Sequence, residues 1–200
     1  MYIGQPITSW EIHQLSSKGR KSMKALYAPS EHKIKLMDAM FDFYLEHSSK
    51  VQYAVTLQTK LIVNRGAGVS EKQLISLEED FRIFAKRFQR RVYGMAHRRK
   101  PKKFSLMLIP TIEGSLFSPE GVRTLHYHIG IGHVPADMNI NVLRKSISEE
   151  WEKTSYGQMN IKIKPANEDW LSYITKEIDL GNIRCCDWGN TFVPELALLS

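Results

Sequence analysis

The run VQYAVTLQTKLIV at residues 51–63 constrains the fold most, because β-branched and aromatic residues alternate there with polar ones. This alternation is typical of a strand with one buried face. After a break at 64–68, Ser70 stands where the N-cap of a helix is expected. Apolar residues then recur at helical spacing, namely Leu77, Phe81, Phe84, Phe88 and Val92. The chain therefore combines strands and helices within one stretch of sequence.

The rest of the sequence continues this combination. It predicts strands over 104–112, 123–132 and 159–163, a helix after Pro135, and a last helix over 170–180 that Asp169 caps. The order is then strand, helix, strand, strand, helix, strand, helix. This order predicts an α+β fold with helices packed on a central, mostly antiparallel sheet.

The first 49 residues are polar, with apolar positions at helical spacing from Ile34 to Tyr44 or Leu45. They predict an N-terminal helical extension, 1–49, ahead of one main domain, 50–200, since 200 residues can bury one substantial core. No stretch is apolar enough to cross a bilayer, and the first residues lack the order of a secretory signal. We therefore expect no membrane contact and a cytoplasmic protein, in which the adjacent Cys185 and Cys186 are free thiols.

The formal net charge of +7 favours an anionic partner. Ten basic residues cluster in one segment: Arg82, Lys86, Arg87, Arg90, Arg91, Arg98, Arg99, Lys100, Lys102 and Lys103. A solvated helix face followed by a basic loop explains this cluster about as well as a phosphate-binding surface does. Charge alone does not decide the function.

His126 and His128 lie two residues apart in a predicted strand, so their imidazoles project from the same face. Such pairs are often merely solvent-facing, but apolar neighbours can pack this strand on its other face and leave the histidines free for a divalent metal. A carboxylate would complete the ligand set. Glu113, at the end of the neighbouring strand, is the preferred candidate, and Glu120, in the turn before His126, is the alternative. Such a site suits Mg²⁺ or Mn²⁺.

In the last predicted helix, Leu171, Ile174 and Ile178 are spaced to face the core, so Tyr173 and Lys176 share an adjacent face. A tyrosine hydroxyl beside an ammonium can attack a phosphodiester, because the cation offsets charge on the phenolate and in the transition state. Helical tyrosines are more often partial core residues. The pair gains weight only in combination with the histidines.

Together these residues resemble the motifs of small rolling-circle replication initiators, the Rep proteins of the HUH endonuclease superfamily found in phages and plasmids. The family's threonine-rich strand has a counterpart at 55–59, its two histidines are His126 and His128, and its Tyr-x-x-Lys motif is Tyr173 to Lys176. All three occur in the family's order over roughly residues 51–180. The resemblance implies a central antiparallel sheet that carries the histidines, with the tyrosine helix set against the metal.

The resemblance also implies a metal-dependent enzyme that nicks single-stranded DNA at a replication origin. Tyr173 would attack the scissile phosphate, keep the 5′ phosphate as a phosphotyrosine and release a 3′ hydroxyl, and reversal would rejoin the strand. Lys176 would neutralise the phosphate, and the basic residues of 82–103 would follow the DNA backbone. Because no Gly-rich phosphate loop is present, a helicase and a polymerase of the bacterial host would unwind and extend the DNA.

Other functions stay open. The motif holds a single tyrosine, so strand transfer by alternating tyrosines is not expected. An HUH transposase has a similar motif order and the same chemistry, whereas relaxases usually carry the tyrosine before the histidines. A non-catalytic DNA- or RNA-binding regulator on the same scaffold would need no metal. A metal-dependent hydrolase that uses only His126, His128 and a carboxylate would form no covalent adduct.

Overall fold

The structure is a computed structural model, and it describes residues 30–63, 69–114, 123–167, 170–179 and 181–194. The helices are α1 (Glu31–Ser48), α2 (Glu71–Tyr93), α3 (Met95–Arg99), α4 (Ile140–Glu152) and α5 (Trp170–Asp179), and the strands are β1 (Val51–Val63), β2 (Met107–Glu113), β3 (Arg123–Gly132) and β4 (Gly157–Pro165). Two short 3₁₀ helices follow, at Ile183–Cys185 and Trp188–Asn190. The predicted order of strands and helices is confirmed, with α3 as an addition.

The four strands form one sheet in the order β2-β3-β1-β4, and every neighbouring pair is antiparallel. The predicted α+β class with an antiparallel sheet is therefore confirmed. β1 and β3 occupy the centre. The chain after α5 covers the free edge of β2, where the backbones of Leu108 and Phe192 exchange two hydrogen bonds of 2.8 Å. Covering the edge in this way satisfies backbone groups that would otherwise be open to another strand.

A hydrophobic core lies on each face of the sheet. Helices α2 and α4 pack on one face, against β3 residues that include Leu125, Tyr127 and Ile129. Helices α1 and α5 pack on the other face. Because side chains alternate along a strand, His126 and His128 lie on the face of α1 and α5. The sheet thus separates these histidines from the basic helix α2.

Helix α1 belongs to the predicted N-terminal extension, and it contributes to the core that lies between the sheet and helices α1 and α5. Met40, Phe41 and Tyr44 are buried there beside Trp170 and Ile174 of α5. Ser30 caps α1 by accepting from the backbone N–H of Lys33. Residues 1–29 lie outside the described part of the chain, and the domain boundary at 49 stays a prediction.

The predicted start of β2 at Phe104 is wrong by three residues, because residues 100–105 form a turn. The Phe104 carbonyl lies 2.9 Å from Nδ1 of His97, and the Ser105 hydroxyl donates to the Pro101 carbonyl. Ser70 caps α2 as predicted, in a reciprocal capping box with Gln73. The proposed cap Asp169 lies outside the described residues. Among the described helices, none has an apolar stretch long enough to span a bilayer.

Candidate active site

Glu113, His126 and His128 form a cluster on the α1/α5 face of the sheet. The register of β2 against β3 sets Glu113 directly opposite His126 and Thr111 opposite His128. One ligand atom from each of the three side chains lies within 4.8 Å of the other two. Nε2 of His126 is 2.8 Å from Oε2 of Glu113, and Nε2 of His128 contacts the same oxygen. The structure thus brings together the three preferred ligands, while the alternative Glu120 lies outside the described residues.

The second nitrogen of each imidazole faces an oxygen atom. Nδ1 of His126 is 3.3 Å from the Thr124 carbonyl, to which it can donate when it carries the proton. Nδ1 of His128 is 3.2 Å from the Thr56 hydroxyl. Metal-binding histidines characteristically hold one nitrogen in such a bond and turn the other towards the ion. The donor set of two imidazole nitrogens and one carboxylate oxygen therefore fits a divalent cation.

The charge states of the cluster also suit metal binding. Burial alone would raise the pKa of Glu113, but hydrogen bonds with His126, His128 and Lys176 outweigh it and hold this pKa well below its ordinary value. Burial lowers the pKa of His128, against the opposing effect of Glu113. An ionised carboxylate and a neutral imidazole are the forms that bind metals.

Helix α5 brings Tyr173 and Lys176 to this cluster. The Tyr173 side chain is 49% exposed, and its ring stands nearly perpendicular to that of His128, with the centroids 4.6 Å apart. Nζ of Lys176 pairs with Oε1 of Glu113 and lies 4.1 Å from the centroid of the Tyr173 ring. A phenol, an ammonium and the candidate ligands therefore meet at one accessible place.

Two residues that were not predicted from the sequence as site residues hold this arrangement in place. The hydroxyl of Thr56 contacts His128 from the opposite position on β1. The buried Glu177 accepts a hydrogen bond of 2.7 Å from the backbone N–H of Gly114 and so joins α5 to the end of β2. Thr56 lies in the predicted threonine-rich strand and could have been found from its alternation with the core residues. Nothing in the sequence around Glu177 marks its contact.

A cavity of about 370 Å³ opens beside Tyr173, between α5 and the edge strand β4. Lys162 and Lys164 line it together with Thr56 and His128. These lysines alternate with Ile161 and Ile163, which pack towards the core on the opposite face of the sheet, under α2 and α4. The alternation in IKIK at 161–164 therefore indicates that both lysines lie on the face of the sheet that carries His126 and His128. The site residues predicted from the sequence did not include these lysines.

The structure does not bring the predicted basic residues to the cluster. Those of α2 lie on a helix that packs on the opposite face of the sheet, and the loop with residues 100–103 enters β2 at Met107, the end remote from Glu113. Arg82 is paired with Glu79, and Arg91 with Glu149 and Glu150. The other eight are exposed: Lys86, Arg87, Arg90, Arg98, Arg99, Lys100, Lys102 and Lys103. Their role in DNA binding stays a prediction.

What the cluster does must be inferred from its side chains and their geometry. Comparison of the chain with protein-family models, with curated proteins and with solved structures found no match.

Proposed function

We propose that this protein is a metal-dependent DNA-nicking enzyme of the HUH class, and that it initiates rolling-circle replication of a phage or plasmid in a bacterial cell. The proposal includes the HUH fold, with the His-x-His pair on a central strand and the tyrosine on a packed helix. One observation carries it. The exposed Tyr173 lies against His128, one of three side chains whose ligand atoms converge within 4.8 Å.

Glu113, His126 and His128 would hold the metal, for which Mg²⁺ and Mn²⁺ are the expected ions. A divalent ion bound there would polarise a phosphodiester and offset its negative charge. The same donor set also serves other divalent-metal chemistries. The phenol beside it is what favours attack on a phosphate, since no such nucleophile is needed by an enzyme that activates water.

In the proposed reaction, the Tyr173 hydroxyl attacks the scissile phosphorus. A bond forms between the phenolic oxygen and phosphorus as the bond from phosphorus to the 3′ oxygen breaks, and the electron pair of that bond stays on the 3′ oxygen. The phenolic proton passes to solvent, and the released 3′ oxygen takes a proton from solvent. The Lys176 ammonium, 4.1 Å from the Tyr173 ring centroid, stabilises the negative charge that develops on the phenol and the phosphate. The reverse reaction rejoins the strand.

Two other functions use the same residues differently. A hydrolase would need the cluster but not the phenol of Tyr173, and would leave no protein bound to the DNA. A non-catalytic regulator would need neither. An HUH transposase shares the proposed chemistry and differs in its biological role, so it is separated by the DNA sequence that the enzyme selects.

The test uses a library of random-sequence single-stranded oligonucleotides with a fluorophore at the 3′ end, incubated with the protein and Mn²⁺. Attack by Tyr173 leaves the downstream fragment on the protein, so a labelled protein band on a denaturing gel is the expected result. A fluorophore at the 5′ end should instead appear on a shortened free oligonucleotide. Sequencing the bound fragments would identify the preferred site.

Variants assign the residues. Tyr173→Phe should abolish the adduct, whereas Tyr156→Phe, which removes the hydroxyl of a half-buried tyrosine, should retain it. His126→Ala with His128→Ala, or chelation of the metal, should also abolish it. Cleavage without an adduct would replace the proposal with a hydrolase, and binding without cleavage would replace it with a regulator.

A further inference from the structure

The cavity beside Tyr173 extends the candidate site towards the sheet edge. It lies on the side of the tyrosine that faces β4, whereas Glu113 and Lys176 lie on the side of β2. Tyr173 and His128 belong both to the cavity wall and to the cluster. Any molecule that reaches the phenol with a phosphate therefore has this cavity next to its reacting atom.

The lining suits a flat apolar group attached to anions. Its walls include Ala54, Trp170 and Ile174, and the half-exposed ring of Tyr173 offers a surface for stacking. Among the described residues that line it, the formally charged ones are two lysines, and none is a carboxylate. The volume of about 370 Å³ falls within the range of about 300–1,000 Å³ typical of small-molecule sites.

The two lysines are placed to bind consecutive phosphates. Lys162 and Lys164 lie two residues apart on β4, pair with Thr56 and Ala54 of β1 respectively, and are both exposed. Side chains two apart on a strand are roughly 6.6 Å apart along it, close to the separation of neighbouring phosphates in an extended nucleic acid strand. Both ammonium groups therefore lie along one edge of the cavity.

We propose that this cavity binds the nucleotide next to the scissile phosphate of single-stranded DNA, with its base between Tyr173 and the apolar wall and its flanking phosphates on Lys162 and Lys164. The base must leave a duplex stack to enter, which makes a single strand the ligand. This assignment rests on the proposed function, because only that function defines a scissile phosphate. The binding test, however, requires neither a metal ion nor cleavage of the DNA.

The test measures binding of a fluorescent oligothymidylate to Tyr173→Phe protein in chelator, by fluorescence anisotropy, over a range of salt concentrations. Each phosphate contact contributes about 0.7 to the slope of log affinity against log salt for single strands. Lys162→Ala with Lys164→Ala should therefore lower that slope by about 1.4, which corresponds to a loss of about 25-fold at 0.1 M salt that disappears near 1 M. The matched control, Lys72→Ala with Lys145→Ala, removes two exposed lysines from the helices on the opposite face and should change neither.

A second variant tests the base. Ala54→Leu adds methyl groups to the cavity wall and leaves both lysines in place. Base stacking contributes about 1–3 kcal/mol, so its loss should weaken binding by roughly fivefold to 150-fold with an unchanged salt slope. Circular dichroism tests whether the Ala54→Leu variant is folded. If it is not, the lysine variants alone test the proposal.

The outcomes separate this proposal from the proposed function. If the lysine variant binds like the control variant, or if the protein does not bind oligothymidylate, the cavity assignment is wrong. Tighter binding of oligouridylate would reassign the cavity to RNA. If the lysines matter for binding while no oligonucleotide ever forms an adduct, the subsite stands and the nicking function fails. If an adduct forms equally well without the lysines, the nicking function stands and the subsite fails.

Discussion

Asp187 offers a prediction that follows from burial alone. Its side chain is 2% exposed, and its Oδ2 accepts from the hydroxyl of Tyr127 at 3.0 Å and from Nδ2 of Asn190 at 2.7 Å. Burial, opposed by these two bonds and reinforced by the negative charge of Glu78, raises the pKa of Asp187 from 3.8 to about 6. Between these two values the folded state holds the proton and the unfolded state does not, so stability falls as the pH rises through this window.

Asp187→Asn removes this loss, because the amide stays neutral and its oxygen can accept both hydrogen bonds. The raised pKa spans about two units at about 1.4 kcal/mol each. The free energy of unfolding of the variant minus that of the wild type should therefore increase by about 3 kcal/mol from about pH 4 to about pH 7. Urea unfolding of both proteins at several pH values measures the difference.

Comparing the two proteins at each pH cancels the titration of other groups, such as His128, whose lowered pKa acts in the opposite direction. Asp137→Asn, which neutralises an exposed carboxylate, controls for the change in net charge. A difference between wild type and Asp187→Asn that stays constant over the whole range would refute the reasoning. It would mean that Asp187 is ionised in the folded protein with no cost.

Three further predictions concern the site. A Cβ on Gly130 would lie 2.4 Å from Cζ2 of Trp170, so Gly130→Ala should cost about 1–3 kcal/mol in urea unfolding and reduce adduct formation by shifting the tyrosine helix. Thr56→Val removes the contact to Nδ1 of His128 and should weaken Mn²⁺ binding roughly 10–100-fold in calorimetric titration, with little change in stability. Glu177 accepts from the Gly114 N–H with one carboxylate oxygen and from Nδ2 of Asn182 with the other, so Glu177→Gln sets an amide donor against one of these donors and should cost about 1–3 kcal/mol in urea unfolding.

Periodicity predicted much of the fold because the core is built from it. The alternation in 51–63 and 123–132 gave β1 and β3 with their observed bounds. The apolar stripe of α4 was also predictable, since Leu143, Ile147 and Trp151 are fully buried. The start of β2 was not, because the turn over 100–105 depends on bonds from His97 and Ser105 that no local pattern reveals.

The candidate site was predictable where it depends on a strand's alternation and not where it depends on register. Two histidines two residues apart must share a face, whatever the strand pairs with. Glu113 was the preferred carboxylate because its strand was expected beside that of His126, but Glu120 stayed open as the alternative because the sequence of the connecting loop does not fix the register of β2 against β3. The contact of Glu177 with Gly114 depends further on how α5 packs, and it joins residues 63 positions apart.

The two basic surfaces of the protein lie on different faces of the sheet, and this separation constrains any path for DNA. Lys162 and Lys164 share the face of Tyr173, whereas α2 packs on the opposite face. One extended strand cannot lie in the cavity and on α2 without passing around the sheet. If residues 82–103 bind DNA as predicted, they must therefore contact a part of it remote from the nick. Their removal should then lower affinity and leave the position of cleavage unchanged, whereas removal of the β4 lysines should affect the nucleotide held beside Tyr173.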